Sequence, residues 1–134
     1  MPFSLKYTAS FKTSIEKLSK SKRFKKNQSD KKTLQDKLKE IFKEITVDPF
    51  FVASLISSEP EPLPSKLKLP STFEFRKIRF KIGTGASGQV RIIYLINRDE
   101  CTVSLLLIFT HEEYEKRPPD GYLKAVIQNA FEEE

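Results

Sequence analysis

Residues 73–110 decide the fold, and they read FEFRKIRFKI (Phe73–Ile82), GTGASG (Gly83–Gly88), QVRIIYLIN (Gln89–Asn97), RDEC (Arg98–Cys101) and TVSLLLIFT (Thr102–Thr110). The first segment alternates. Ile78, Phe80 and Ile82 fall on one side, and Lys77, Arg79 and Lys81 on the other. Period two is the signature of a strand with one buried face. In the next segment Val90, Ile92, Tyr94 and Ile96 alternate with Arg91, Ile93 and Leu95. Thr102–Thr110 is apolar almost throughout, which fits a central strand covered on both sides. Short turns join the three, so an antiparallel meander is expected, with Ile78, Phe80, Ile92, Tyr94, Leu106 and Ile108 in the core. The helices are expected on one face of a sheet of four strands.

Working outward, Phe3, Leu5 and Tyr7 alternate with polar residues and predict a short opening strand. Phe11, Ile15 and Leu18 follow at helical spacing, with Thr8 or Ser10 as the N-cap. Residues 19–32 (SKSKRFKKNQSDKK) hold one large apolar side chain, Phe24, and read as a mobile basic connection. Leu34, Leu38, Ile41, Phe42 and Ile45 form the stripe of a second helix, which Asp30 or Thr33 is placed to cap. Between Asp48 and Ser71 lie Pro49, Pro60, Pro62, Pro64 and Pro70, so residues 57–72 read as a proline-rich loop. The apolar run Phe50–Ile56 within that region predicts a helical turn or two on the core. After Pro118-Pro119, residues Tyr122, Leu123, Val126, Ile127, Ala130 and Phe131 predict a short C-terminal helix. The expected architecture is α+β, in the order β-α-α-β-β-β-α, as one domain over residues 1–134.

Charge is segregated along the chain. The net charge of +6 divides into +8 over residues 1–45, −1 over 46–72, +5 over 73–98 and −6 over 99–134. Two basic blocks and an acidic end suggest a phosphate-facing surface and a separate acidic one. The longest unbroken apolar stretch, Leu105–Phe109, is far short of the ~20 residues of a spanning helix. The start of the chain has no apolar segment of a secretory signal. A single cysteine, Cys101, excludes an internal disulfide. With one histidine, His111, beside it, no metal site is expected. The expectation is a cytoplasmic domain without cofactor or membrane contact.

Gly83-x-Gly85-x-x-Gly88 matches the dinucleotide fingerprint in letters only. That fingerprint needs a helix directly after the glycines, whereas residues 89–96 alternate as a strand. The kinase glycine loop does lie between strands, but its lysine, catalytic loop and metal-binding motif are missing. The six residues read as a flexible hairpin turn.

More informative is the set of cations. Period two puts Lys77, Arg79 and Lys81 on one sheet face, and Arg91 on the partner strand is placed to join them. Like charges so arranged repel, and a polyanion threaded over the face would neutralise them. Arg91, flanked by Val90 and Ile92, is expected to present a fixed fork to phosphate. His111, Glu112, Glu113 and Tyr114 follow the central strand directly. Cleavage of an RNA phosphodiester needs a base, an acid and positive charge, and these residue types are suited to the proton transfers.

Residues Phe75–Ile96 and Thr102–Tyr114 resemble the RelE/ParE superfamily of type II toxin–antitoxin toxins, in its RelE/HigB-like branch. There a strand of the form LRKLRF, a glycine turn, GxxRIIYxI and LLLIYxKxE recur, preceded by one strand and two helices. The resemblance covers residues 73–116 well and the N-terminal third in pattern. It implies a RelE-like fold and a metal-independent, ribosome-associated mRNA endoribonuclease (an mRNA interferase), which cuts by attack of the 2′-hydroxyl. It also implies a cognate antitoxin, and the +8 of residues 1–45 makes an acidic one the expected partner. Carried over by position, Lys77, Arg79, Lys81 and Arg91 hold the phosphate. His111, Glu113, Tyr114 and Lys116 stand where family members keep catalytic groups. Two alternatives remain open: a RelE-like module that binds RNA or protein without cleaving, and a gyrase inhibitor of the ParE type.

Overall fold

The computed structural model describes residues 2–50 and 57–133. The chain runs β1 (Ser4–Tyr7), α1 (Ala9–Ser19), α2 (Lys22–Lys26), α3 (Gln28–Val47), β2 (Ser57–Pro60), β3 (Phe73–Lys81), β4 (Gln89–Asn97), β5 (Thr102–Thr110) and α4 (Asp120–Glu133). The sheet is mixed, in the order β1-β5-β4-β3-β2. β3, β4 and β5 form the expected antiparallel meander, and β1 lies parallel to β5. The α+β order β-α-α-β-β-β-α expected from the sequence is present, with α2 and β2 added to it. No helix among the described residues is long and apolar enough to cross a membrane.

The helices do not share one face, contrary to expectation. Phe11, Leu18, Leu34, Leu38, Ile41 and Ile45 pack with Ile78, Phe80, Ile92 and Tyr94 on one side. Leu123, Val126, Ile127 and Ala130 of α4 cover Phe75, Ile93, Leu95 and Phe109 on the other. The reason is in β4 and β5, which are apolar at odd and even positions alike and so need cover on both sides. A register shift at Ile93/Tyr94 sets Tyr94 opposite Leu105 and leaves Leu106 as the extra residue. Leu106 therefore packs with α4 and not with Ile108.

α1 starts where sequence places it. Thr8 Oγ accepts from the Phe11 amide at 3.2 Å, and its hydroxyl donates to Leu105 O at 2.7 Å. β1 covers β5 only to Leu105. Beyond that point hydroxyls of α1 satisfy the strand: Ser10 donates to Leu106 O (2.8 Å) and Ser14 accepts from the Ile108 amide (3.0 Å). An edge that no strand covers is thus closed by side chains.

Residues 19–32 are not a mobile connection. They form α2 and the start of α3, whose cap is Asn27 in place of Asp30 or Thr33, with its side chain accepting from the Asp30 amide at 3.0 Å. Phe24 is fully buried and draws the basic stretch onto the core. One large aromatic side chain suffices to anchor a helix of five residues.

Residues 57–72 are not all loop either, since β2 pairs antiparallel with β3. Glu61 N–H donates to Phe75 O at 2.9 Å. Alternation then turns the nitrogen of Pro60 to the open edge, where no donor is needed. A buried polar network pins β2 down. Tyr94 donates to Pro49 O at 2.6 Å and is also bonded to Ser58 Oγ. Arg76, itself buried, donates to Ser58 Oγ (2.8 Å) and Ser58 O (2.9 Å) and pairs with Glu74 at 2.5 Å. The expected turn over Phe50–Ile56 falls, from residue 51 onward, outside the described residues.

Candidate RNA-binding site

The hairpin of β3 and β4 brings the expected cations together. Arg79 and Arg91 are directly opposed in the antiparallel register, so Lys77, Arg79 and Arg91 share one face. The glycine turn that sets this register runs through a single 3-10 turn, Ala86–Gly88, straight into β4. It is not open to a ligand on every side, because Arg23 of α2 clasps it. That guanidinium donates to Ser87 Oγ (2.7 Å), Asp30 Oδ2 (2.8 Å) and the Thr84 carbonyl.

Two clefts flank the opposed arginines. One, of about 580 Å³, is lined by Glu61, Lys77, Arg79, Arg91, Lys116 and Arg117 among others. The second, of about 490 Å³, opens at the end of the sheet between Lys37, Arg79, Lys81 and Arg91, with Phe80 and Val90 beneath. Lys81 is exposed and makes no salt bridge among the described residues.

Lys77 and Arg79 do not wait for a polyanion, as the sequence suggested, because carboxylates of the chain already meet these two of the four expected cations. Glu61 bridges Lys77 and Arg117, each at 3.0 Å, and Glu59 pairs with Arg79 at 2.8 Å. Arg117 also pairs with Asp120 at 3.1 Å and donates to Pro62 O at 2.6 Å. Glu59, Glu61 and Arg117 were not singled out from sequence. Their signal was Glu59-Pro-Glu61, two acids at strand spacing, which the prolines disguised as loop.

Arg91 is not a free phosphate fork. Its Nη1 donates to the carbonyls of Tyr114 (3.2 Å), Glu115 (2.9 Å) and Lys116 (3.4 Å), and its Nη2 to His111 Nδ1 at 3.0 Å. The guanidinium is donor-only, so the His111 nitrogen facing it is the acceptor and the ring proton sits on Nε2. Burial, and after it the neighbouring Arg79, hold the pKa of Arg91 below its ordinary value. It remains charged. Of its five N–H groups, Nε and the second Nη2 hydrogen are left for a ligand.

The other expected residues divide between two places. Lys116 is exposed at the larger cleft. Glu113 turns away from the cations to Lys17 of α1, at 3.4 Å. The Tyr114 ring packs edge-on against Phe109, with centroids 5.7 Å apart. Glu113 and Tyr114 line a separate, small cleft beside α1. The strand end therefore delivers His111 and the 114–116 carbonyls to Arg91, while the side chains of Glu113 and Tyr114 face another way.

The molecule so described is a small α+β protein with Lys77, Arg79, Arg91, Lys116 and Arg117 gathered around one cleft. No family model matches the sequence, and no curated protein matches it. Among solved structures, that of a mutant of the Escherichia coli toxin RelE in the free state is similar, at 16% identity, over 96% of this chain and 98% of that one, with a TM-score of 0.49.

Proposed function

We propose that this chain is the RelE-like toxin of a type II toxin–antitoxin module, acting in the cytoplasm as a metal-independent, ribosome-associated mRNA endoribonuclease. The observation that carries the reading is the opposed pair of Arg79 and Arg91, held with Lys77, Lys116 and Arg117 around one cleft. Five cations gather there; carboxylates of the chain meet Lys77, Arg79 and Arg117 and leave Arg91 and Lys116 without an acidic partner among the described residues, so the cleft keeps positive charge for an RNA backbone.

In this reading the phosphates lie along Lys77, Arg79 and Lys81. The 2′-oxygen attacks the adjacent phosphorus, the 5′-oxygen leaves, and the charge that builds on the phosphoryl oxygens meets Arg79 and the free N–H groups of Arg91. His111 donates its Nε2–H as a hydrogen bond to the leaving 5′-oxygen, which takes its proton from solvent water. Glu115 lines the same cleft and, unlike Glu59, Glu61 and Asp120, makes no salt bridge among the described residues. Its carboxylate takes the proton of the 2′-hydroxyl. The partner that silences the toxin is a small acidic antitoxin, which co-purification from the native operon is expected to recover.

The test is single-turnover cleavage of ribosome-bound mRNA. Arg91→Ala is expected to cost about 10²–10³ in rate, the range for loss of one preorganised donor. His111→Ala should slow cleavage and leave RNA affinity near wild type. Full activity in a folded Arg91→Ala protein overturns the assignment. A second reading, a module that binds RNA without cutting it, is favoured by the occupation of Arg91 by its own loop. Intact RNA binding by a wild type that does not cleave would establish it, and inhibition of gyrase supercoiling would establish the ParE-like alternative.

A further inference from the structure

β2 is an edge strand of four residues, and it and the residue after it lay two carboxylates, Glu59 and Glu61, over the cationic face. Glu59 is directly opposite Lys77 in the register and reaches Arg79; Glu61, two residues on, reaches Lys77 and Arg117. Successive same-face positions of a strand lie ~6.6 Å apart, close to the separation of neighbouring phosphates along an extended nucleic-acid strand. Lys77 and Arg79 have the same spacing on β3. A carboxylate bridging two cations offers them the paired oxygens that a phosphate would offer. The two pairs differ in depth: the Glu61 side chain is 7% exposed, that of Glu59 40%.

We propose that Glu59 and Glu61 occupy, in the free chain, the places of two successive RNA phosphates on Lys77, Arg79 and Arg117, so that RNA binds by displacing them. The inference rests on the RNA-directed reading above and adds its regulation: a chain with no RNA keeps its own site neutralised. Displacement begins at Glu59, whose pair with Arg79 is the more solvated, and moves inward to Glu61. RNA also gains Lys81 and Lys116, which are exposed and which β2 leaves uncovered.

The experiment measures binding of single-stranded RNA by wild type, Glu59→Gln and Glu59→Gln/Glu61→Gln across a salt series, with thermal melts as the folding check. In wild type RNA must break each ion pair to gain its cation, whereas in the variants the cation is already free. The same cations meet phosphate in every complex, so the slope of log K against log salt, about 0.7 per phosphate neutralised, should stay at its wild-type value while the affinity rises. Glu59→Gln should bind about two- to fivefold more tightly at low salt, the range set by an exposed ion pair, and the double variant more tightly still. Glu59→Gln alone decides the matter if the double variant does not fold, because its pair is half-exposed. Wild-type affinity in folded Glu59→Gln, weaker binding, or a slope steeper by about 0.7, which would show that Glu59 stays on Arg79 when RNA binds wild type, overturns the displacement and leaves the RNA reading standing. Failure of wild type and variants alike to bind RNA overturns both.

Discussion

Arg79 and Arg91 face each other directly across β3 and β4, yet each is bonded by a different part of the chain. Arg79 reaches outward to Glu59 on the edge strand. Arg91 reaches inward to His111 and to the carbonyls of residues 114–116. Two like charges are thus held at adjacent positions without sharing a partner. The arrangement makes Arg91 a positioning residue for the 111–116 segment as well as a source of charge.

Arg91→Lys separates those two roles. A lysine keeps the charge but has one nitrogen where the guanidinium has a planar fork, so it cannot hold His111 and the loop carbonyls together. Urea denaturation should show a loss of about 1.5–3 kcal/mol, the range for hydrogen bonds to a charged group. Nitrogen-15 spectra of the imidazole should show the Nε2–H tautomer in wild type and a mixture in the variant. An unchanged tautomer with unchanged stability would show that the clamp is not what fixes the ring.

Tyr94 gives a pH dependence. Burial raises its pKa above the ordinary value, with the bonds to Ser58 and the nearby Arg76 acting the other way. A phenol that ionises later in the folded state contributes stability that is complete below the unfolded value of about 10 and is lost as pH rises through the folded one. Wild-type stability should therefore fall more steeply above pH ~10 than that of Tyr94→Phe. At neutral pH Tyr94→Phe should be less stable by about 1–3 kcal/mol, because Pro49 O loses its short buried donor. Parallel stability curves for the two proteins at alkaline pH would refute the assignment.

Phe24→Ala tests whether the basic stretch is part of the core. The ring is fully buried against α1, α3 and the sheet, so its loss should cost about 3–5 kcal/mol in thermal or urea unfolding. A cost below ~1 kcal/mol would mean that residues 19–32 contribute little to the fold.

Gly88→Ala probes the hairpin. A Cβ there would lie 2.0 Å from Ile82 O, a backbone atom that cannot swing aside, while Ile82 N–H donates to Gly88 O at 2.7 Å. The variant should lose more than ~1 kcal/mol and, by shifting the β3–β4 register, should weaken RNA binding too. Gly121→Ala, with open space around its Cβ position, is the control and should be near neutral.

What the sequence by itself determined is the part governed by local periodicity. The alternation of Ile78, Phe80 and Ile82 with Lys77, Arg79 and Lys81 sets a strand and its two faces, and the uniformly apolar Thr102–Thr110 sets the centre of the sheet. The meander, the α3 stripe, the C-terminal helix and the meeting of Arg91 with the β3 cations follow from those patterns and one short turn. Only the tertiary structure decided what depends on residues far apart in the chain. Phe24 is one aromatic in a basic run, and only the cavity between α1, α3 and the sheet makes it an anchor. Pro60 reads as loop until β3 offers an edge on which its missing N–H is harmless. Glu59 and Glu61 are unremarkable acids until that pairing sets them on Lys77, Arg79 and Arg117. The side chain of Glu113 goes to Lys17 and that of His111 to Arg91 because α1 and β4 flank the end of β5 on opposite sides. Charge pairing acts through space, and spacing along the chain records it only where a regular element fixes the geometry.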